Sequence, residues 1–249
     1  MLISLGIVII KKLYQNYPMS KTEKIVKTKM MLAQIKSANK QGVKVDSQIL
    51  GSGNLNRDGV PRLPPDQKIV KNWPVLDLGI LPEINLFDWS LTVNGLCENP
   101  KTYTITDLKK LGESTDVSDF HCVTGWSQYD LKWQGVLFSK IAKDCNVSAD
   151  AKHVWIEASD NYTTNVTLEE ALKYDVMIAY IVDDKPLAKE HGGPVRMITP
   201  QLWAWKGAKW IKSITFLKED KRGFWEERGY SNSAIPWLND RYTADEPKE

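Results

Sequence analysis

The stretch Asp119-Phe120-His121-Cys122-Val123-Thr124-Gly125-Trp126-Ser127 decides how this chain of 249 residues is interpreted. It holds a cysteine, Cys122, between a histidine and a turn of small residues. Such a cysteine can be an inert core residue, a nucleophile with a nearby base, or a metal ligand. His121 is a poor base for Cys122, because neighbouring residues of a strand point to opposite faces. Spacing alone leaves the three alternatives open.

The composition is that of an ordinary soluble globular protein, with 42% hydrophobic and 26% charged residues. The formal net charge of +2 gives no argument for a nucleic-acid partner. The widely spaced cysteines Cys97, Cys122 and Cys145 contain no Cys-x-x-Cys pair, which argues against a zinc ribbon and a disulfide framework. A cytoplasmic location is therefore expected. The apolar run Leu2–Ile10 is too short to span a bilayer, but it leaves a weak N-terminal membrane association open.

The pattern of apolar residues predicts a mixed α+β domain that is rich in strands. Residues 1–61 are predicted to form an N-terminal helix and an extended arm, the arm because Gly and Pro crowd residues 48–65. Residues 62–249 are predicted to form the compact domain. The predicted strands cover residues 89–95, 117–123, 153–158, 176–182 and 209–217, and the predicted helices cover residues 20–45 in part, 106–112, 137–145 and 168–174.

Three further details follow from the same patterns. The strand at 209–217 carries apolar side chains on both faces, so it is expected to lie inside a sheet. Thr167 is expected to cap the helix that follows it. The polar tail from Lys221 is expected to dock on the domain surface through its spaced aromatic side chains.

A second group of candidate residues lies between His191 and Trp210. Arg196 falls inside a predicted strand, where a cation is costly unless an anion pairs with it. In Lys206-Gly207-Ala208-Lys209, small residues would let a ligand approach the backbone and lysines would serve a phosphate, although a solvated surface turn explains the segment equally well. The segment Asp160–Asn165 is a plain polar turn unless other evidence places it in a site. The absence of Gly-x-Gly-x-x-Gly and Walker A patterns argues against a usual nucleotide site.

Together these motifs resemble the molybdopterin-binding domain of the sulfite oxidase family, over roughly residues 62–242. The similarity is closest to the short, haem-free bacterial and archaeal members, and it implies their β-rich α+β fold. The motifs that carry it are, in chain order, Arg62-Leu63-Pro64-Pro65, Pro74-Val75-Leu76-Asp77, His121-Cys122-Val123-Thr124-Gly125-Trp126-Ser127, Trp133-Gln134-Gly135-Val136, Tyr162-Thr163-Thr164-Asn165, His191-Gly192-Gly193-Pro194-Val195-Arg196, Lys206-Gly207-Ala208-Lys209-Trp210 and Gly223-Phe224-Trp225-Glu226.

The resemblance implies a molybdenum-molybdopterin cofactor, with the sulfur of Cys122 as metal ligand and Cys122 as the catalytic residue. The anionic phosphate of the pterin would offset the desolvation of the buried cations. The residues implied to hold the cofactor are Cys122, Asn72, Asp160, His191, Arg196, Lys206, Gly207, Ala208 and Lys209.

The substrate is implied by a departure from the family pattern. Animal and plant sulfite oxidases have arginines just after the cysteine, whereas this chain has Trp126 and Ser127, as in the catalytic subunit of periplasmic methionine sulfoxide reductase. We therefore expect two-electron or oxygen-atom transfer at molybdenum, with reduction of an S-oxide or N-oxide favoured. Sulfite oxidation, a non-catalytic molybdopterin-binding protein and a cysteine-dependent hydrolase are the alternatives. The expected partners are a small-molecule substrate and a separate electron carrier, with no nucleic acid, and the chain is expected to be a monomer.

Overall fold

The computed structural model describes residues 20–27, residue 30 and residues 50–246. Residues 21–27 are helical. The rest of the helix predicted within residues 20–45, and the apolar run Leu2–Ile10, lie outside the described residues.

Most of the regular structure is in short strands, which agrees with the predicted β-rich α+β class. The α-helices that follow residue 50 are α1 (Ile105–Lys110), α2 (Phe138–Asp144) and α3 (Leu168–Ala171). The strands are β1 (Ser52–Leu55), β2 (Pro61–Leu63), β3 (Lys68–Ile69), β4 (Ser90–Gly95), β5 (Lys101–Thr104), β6 (Ser114–Cys122), β7 (Trp126–Leu137), β8 (His153–Ala158), β9 (Thr163–Thr167), β10 (Met177–Val182), β11 (Lys185–Pro186), β12 (Arg196–Ile198) and β13 (Ile211–Leu217).

One sheet has five strands in the order β5-β4-β13-β8-β9. Its centre is β13, which pairs parallel with β4 and antiparallel with β8. Ile214 and Phe216 of β13 are fully buried, because the strand has neighbours on both edges and packs against the core. The internal position predicted for residues 209–217 is therefore confirmed.

The second sheet has six strands, with β10 and β7 at its centre, β6 beside β7 and β12 beside β10. The strands β6 and β7 form an antiparallel hairpin that turns at Val123-Thr124-Gly125. Gly125 adopts φ = 102°, a backbone conformation that glycine reaches without the steric cost of a side chain. Cys122 consequently lies at the last position of β6, where the strand meets the turn.

The main core lies between the two sheets and beneath α1 and α2. It buries Leu91 and Ile214 of the five-stranded sheet, Ile178 of the six-stranded sheet, and Leu108 and Phe138 of the helices. A second cluster joins the C-terminal tail to the domain. It contains Leu78, Val123, Trp203, Trp225, Tyr230, Ala234 and Tyr242. The aromatic docking predicted for the tail is confirmed.

Local sequence explains the helix starts. Thr104 and Asp107 form a reciprocal capping box at α1, and the Thr167 hydroxyl accepts a hydrogen bond of 3.1 Å from the Glu170 amide. The cap predicted for Thr167 is confirmed. The prediction of a strand-free arm over residues 48–65 is wrong in part, because β1 and β2 form a hairpin there. The side chain of Asn56 closes it by accepting from the amides of Asp58 and Val60.

The interpretation of Asp160–Asn165 as a turn is wrong in its second half, since β9 begins at Thr163 and pairs with β8. Pairing with a neighbouring strand overrides the turn preference of Thr and Asn. The domain boundary predicted between residues 61 and 62 falls inside β2. Most of the predicted first unit lies outside the described residues, so the division stays a prediction.

Candidate active site

A cavity of about 130 Å³ opens where the turn after β6 meets the segment that precedes β13. Its walls are mainly apolar and include eight Trp, Phe and Tyr side chains. They consist of Trp73, Pro74, Leu76, Asp77, Leu78, Phe120, Cys122, Val123, Thr124, Trp126, Asp160, Tyr162, His191, Arg196, Ala204, Trp205, Gly207, Lys209, Trp210, Trp225 and Tyr230. An apolar cleft with a few convergent polar groups is typical of a cofactor or substrate site.

Cys122 faces this cavity and is 7% exposed. All three cysteines lie in the described part of the chain, and none forms a disulfide. The Sγ atom of Cys122 lies 3.2 Å from Oγ1 of Thr124, so the turn itself provides a polar contact. Arg241 clamps the turn from behind, donating hydrogen bonds to the carbonyls of Val123 and Pro65. The thiol is thus held at a fixed place in the wall.

His121 points away from Cys122, into a separate polar cleft next to Ser118 and Asp119. It is 2% exposed, and its Nδ1 atom lies 2.8 Å from Oγ of Ser127. Burial lowers the pKa of His121 to about 4, so the imidazole is neutral at pH 7. The expectation that His121 is a poor base for Cys122 agrees with this geometry.

Arg196 brings a buried cation to the cavity, at 3% exposure. Its guanidinium donates to the carbonyls of His191 (2.9 Å) and Gly207 (3.0 Å) and lies 5.2 Å from the centre of the Phe120 ring. Within the residues that the structure describes, no carboxylate forms an ion pair with Arg196. Burial lowers the pKa of Arg196 to about 9. A desolvated cation of this kind favours an anionic ligand.

His191 and Lys209 lie beside Arg196 in the cavity wall. The imidazole of His191 stacks on Trp73 with ring centres 3.9 Å apart, and burial and the charges of Arg196 and Lys209 lower its pKa. Gly192, at φ = 106°, lets the turn pass close to Lys209, because a Cβ there would lie 2.9 Å from Cβ of Lys209. The turn therefore requires a glycine both for its backbone conformation and for space.

Gly207 and Asp160 complete the polar part of the lining. A Cβ on Gly207 would lie 2.8 Å from the carbonyl oxygen of Met197, so this backbone must be glycine to approach β12. Asp160 is 4% exposed and accepts a hydrogen bond of 3.0 Å from the Tyr162 amide. Burial raises the pKa of Asp160.

The structure brings six of the nine predicted site residues to the cavity, and three lie elsewhere. Asn72 is exposed on the segment next to Trp73. Ala208 is buried, and its carbonyl accepts from the Met197 amide at 2.9 Å. Lys206 is fully buried, and its ammonium lies 2.7 Å from the carboxylate of Glu226. The six at the cavity are Cys122, Asp160, His191, Arg196, Gly207 and Lys209.

Sequence reasoning missed most of the aromatic wall. Trp73, Trp205 and Tyr230 all line the cavity, and none of them was predicted to belong to the site. The content of ten tryptophans is the signal that points to such a wall, but it does not say which of them face the site.

A metal in this cavity would need ligands that the side chains do not supply. Among residues 20–27, 30 and 50–246, no group of three or more His, Cys, Asp or Glu side chains is arranged to hold a metal ion. A thiolate from Cys122 could ligate a metal whose remaining ligands come with the cofactor. The donor set therefore fits a cofactor-borne metal and not a protein-built metal site.

The fold and the site define a cofactor-binding oxidoreductase domain, and comparisons with known proteins give its family. Residues 78–225 match the family model of the oxidoreductase molybdopterin binding domain. The chain is also 40% identical, over 185 residues, to the uncharacterized oxidoreductase YuiH of Bacillus subtilis (strain 168). That alignment covers 74% of this chain and 93% of YuiH. This chain belongs to the family of oxidoreductases with a molybdopterin-binding domain.

More distant relatives share the same region. The identity is 28% with the putative protein-methionine-sulfoxide reductase subunit YedZ1 of Azospira oryzae, over 60% of this chain and 56% of that one. It is 27% with mitochondrial sulfite oxidase of Drosophila melanogaster, over 60% of this chain and 31% of that one. The sulfane dehydrogenase SoxCD of Paracoccus pantotrophus is similar in fold, with a TM-score of 0.52 at 22% identity over 56% of this chain and 40% of that one.

The predicted resemblance, the α+β class, the oxidoreductase assignment and the molybdenum cofactor are thereby confirmed. The chain spans nearly the whole of YuiH but about half or less of these other relatives. In the part of the chain that the structure covers, no helix is long and apolar enough to cross a membrane.

Proposed function

We propose that this protein uses a molybdenum cofactor ligated by Cys122 to reduce a small, neutral S-oxide or N-oxide. The main support is the lining of the cavity, which contains a buried thiol and a buried arginine that has no carboxylate partner among the described residues. The walls between them are aromatic. Such walls favour an uncharged substrate, since an anion would lose its hydration without gaining new cationic partners.

The cofactor would be held mainly through its anionic and polar groups. Arg196 and Lys209 would bind the phosphate, which would relieve the desolvation of the Arg196 guanidinium. His191 and Asp160 would contact the pterin. Gly192 and Gly207 let the backbone pack closely against Lys209 and Met197, which keeps Lys209 and Arg196 next to each other in the site.

When bound, the cofactor supplies two-electron redox chemistry and transfer of an oxygen atom. Cys122 contributes a thiolate, and the turn Val123–Gly125 fixes its position. The phenol of Tyr230 lines the same cavity, and burial raises its pKa, so it stays protonated and can donate a hydrogen bond to a substrate oxygen. The surrounding tryptophans exclude water and so strengthen each of these polar contacts.

The preference for a neutral substrate over sulfite rests on two positions. Trp126 lines the cavity, and Ser127 is fully buried with its hydroxyl next to His121. Neither can offer a cation to an anionic substrate at the place where sulfite oxidases carry arginines. Sulfite oxidation is the alternative that the same assays would detect.

Electrons would come from a separate carrier, because nothing in the described fold resembles a second redox domain. The relative from Azospira oryzae is named as a subunit, which supports a partner protein. We further expect the chain itself to be a monomer in the cytoplasm. Light scattering of the purified protein and fractionation of cells test these two expectations.

Metal analysis of protein made in a molybdenum-replete, cofactor-competent host tests the cofactor assignment. We expect close to one molybdenum and one pterin per chain. The Cys122→Ser variant should keep pterin and lose molybdenum, whereas Cys97→Ser, outside the cavity, should keep both. Purified wild-type protein with neither molybdenum nor pterin would sink the proposal.

The substrate class is tested with reduced dye as electron donor and dimethyl sulfoxide, methionine sulfoxide or trimethylamine N-oxide as acceptor. Oxidation of sulfite with an artificial acceptor is measured in parallel. Turnover of an S-oxide or N-oxide is the expected result. Turnover of sulfite alone would replace the proposed substrate class, and no turnover by molybdenum-loaded protein would favour a non-catalytic binding protein.

A further inference from the structure

A buried ion pair lies directly behind the cavity wall. The Nζ atom of Lys206 is 2.7 Å from Oε1 of Glu226, and both side chains are fully buried. The same carboxylate oxygen accepts a hydrogen bond from the indole of Trp205 (3.1 Å) and from the hydroxyl of Thr164 (2.9 Å). Glu226 therefore contacts both Lys206 and Trp205, and Trp205 belongs to the cavity lining.

Of the residues around Glu226, Trp205 is the one that lines the cavity. Its ring lines the cavity and meets the Tyr230 ring edge-on, with centres 5.3 Å apart. Its backbone carbonyl accepts a hydrogen bond of 2.6 Å from the Tyr162 phenol. The indole is thus fixed at its nitrogen by Glu226 and at its face by Tyr230, while Tyr162 fixes the backbone.

The ammonium of Lys206 is satisfied without any cofactor. Besides Glu226, it contacts the carbonyl oxygen of Asn165 at 2.8 Å and the side-chain oxygen of Asn165 at 3.0 Å. An ammonium has three N–H donors, and three oxygens surround this one. Lys209, in contrast, lies in the cavity lining. The two lysines of Lys206-Gly207-Ala208-Lys209 therefore face different environments.

We propose that Glu226 is a positioning residue that, with Lys206, holds the Trp205 indole in the cavity wall and thereby limits the bulk of the substrate. Lys206 then serves Glu226 and not the cofactor phosphate. The effect on substrate bulk rests on the proposed S-oxide or N-oxide chemistry. The position of the indole and the role of Lys206 do not.

Two double variants separate the hydrogen-bond acceptor from the buried charge. Lys206→Met with Glu226→Gln removes both charges and keeps an oxygen for the indole, whereas Lys206→Met with Glu226→Leu removes the oxygen as well. Replacing both members of a buried pair avoids the unpaired charge that a single substitution would leave and that would endanger folding. Glu227→Leu, next to Glu226 in sequence but exposed, is the matched control.

The first readout is the ¹⁹F NMR spectrum of full-length, cofactor-loaded protein labelled with 5-fluorotryptophan. Trp205→Phe assigns the resonance. We expect the Trp205 signal at its wild-type position in the glutamine double variant and in Glu227→Leu, and shifted or broadened in the leucine double variant. Identical spectra for both double variants would overturn the positioning role, since packing alone would then hold the ring.

Pterin content tests the assignment of Lys206. The glutamine double variant should keep the wild-type content, while Lys209→Met should lose at least about tenfold, as expected when a charged contact to phosphate is removed. If the glutamine double variant loses pterin while its Trp205 signal is unchanged, Lys206 binds the cofactor phosphate, and the role proposed for it here is wrong.

Substrate selectivity is the third readout and is measured kinetically. The ratio of kcat/KM for methyl phenyl sulfoxide to that for dimethyl sulfoxide should rise about tenfold in the leucine double variant and stay unchanged in the glutamine one. A ratio that moves equally in both variants would contradict the proposal. If the wild-type protein reduces no sulfoxide, the proposed chemistry fails, and the fluorine spectra still decide the role of Glu226.

Discussion

The guanidinium of Arg196 is surrounded by carbonyl oxygens and the faces of aromatic rings. Its burial is explained if an anion arrives later, because the folded protein without cofactor must bear the desolvation of the charge. Arg196 therefore contributes more to cofactor binding than to the folding stability of the cofactor-free protein. Measuring pterin retention and the free energy of unfolding in the same variant separates these two contributions.

Arg196→Met should lower pterin retention at least about tenfold, since a charge-assisted hydrogen bond is worth roughly 1.5–3 kcal/mol. The free energy of unfolding of the cofactor-free protein should change by less than about 2 kcal/mol, because relief of the buried charge offsets the lost carbonyl contacts. Pterin assay and urea unfolding check the two parts. Arg222→Met, on the surface, is the control, and wild-type pterin content in Arg196→Met would contradict the assignment.

His121 makes stability depend on pH. Its pKa is about 4 in the fold against an ordinary value of 6.5, so below pH 6.5 the unfolded chain binds the proton more readily. The contribution is fully present above pH 6.5 and is lost as the pH falls towards 4, by roughly 3 kcal/mol at 1.36 kcal/mol per pH unit.

In urea unfolding between pH 7 and pH 4, His121→Gln should therefore lose less stability than the wild type. As the pH falls from 7 to 4, the free energy of unfolding of the variant should rise by roughly 3 kcal/mol relative to that of the wild type, because glutamine does not titrate. A difference that stays constant over this range would show that His121 does not remain neutral in the fold.

Helices and strands were predicted best where a local cap or turn determines their position. The helices α1, α2 and α3 begin within a residue of the predicted starts, helped by Thr104 and Thr167, and β8 was predicted in full. The existence of both β7 and β9 was missed. Their polar residues become strand only through pairing with β6, β10 and β8, which lie far apart in sequence.

The site, too, combines features that the sequence predicts with features that depend on tertiary contacts. The order of motifs was sufficient to predict the family and the residue types of the site. It could not say that Lys209 faces the cavity while Lys206 turns inward to Glu226, because that depends on packing between the turn before β13 and the C-terminal tail. Side-chain direction in a short irregular turn follows from tertiary contacts, and local spacing does not encode them.

The contact between β7 and β10 depends on Gly135. A Cβ at this position would lie 2.1 Å from the carbonyl oxygen of Ile178, so Gly135→Ala must push the two central strands apart. We expect a loss of at least about 3 kcal/mol in the free energy of unfolding, or failure to fold, since overpacking and broken ladder hydrogen bonds add.

Circular dichroism during urea unfolding measures this loss. In Gly59→Ala the added Cβ meets nothing within 4 Å, so only the left-handed backbone conformation is strained, at about 1–2 kcal/mol. Equal losses in the two variants would mean that the β7–β10 contact is not the cause.

In the molecule as a whole, Arg241 connects three distant parts of the chain. Besides its bonds to the carbonyls of Val123 and Pro65, it stacks over the ring of Trp203 at 4.3 Å. The cysteine turn, the arm and the tail are thereby held together by one buried side chain. Cluster packing by Trp225 and Tyr242 reinforces the same junction.

Arg241→Met should cost about 3 kcal/mol or more of unfolding free energy, because two carbonyls lose a charged donor. It should also lower the molybdenum content of the purified protein, because the turn that carries Cys122 loses its support. Thermal unfolding and metal analysis measure the two effects, with Arg222→Met as the surface control. A stable variant with full molybdenum content would show that the turn holds its shape without the tail.

The parallel pairing of β4 with β13 has a consequence for biosynthesis. A ribosome releases β4 long before β13, and the cavity itself draws on residues from Trp73 to Tyr230. Pairings between distant segments form late, since the intervening chain must first be closed. The cavity therefore cannot form until the chain has been synthesised through Tyr230, and the cofactor can be inserted only after that point.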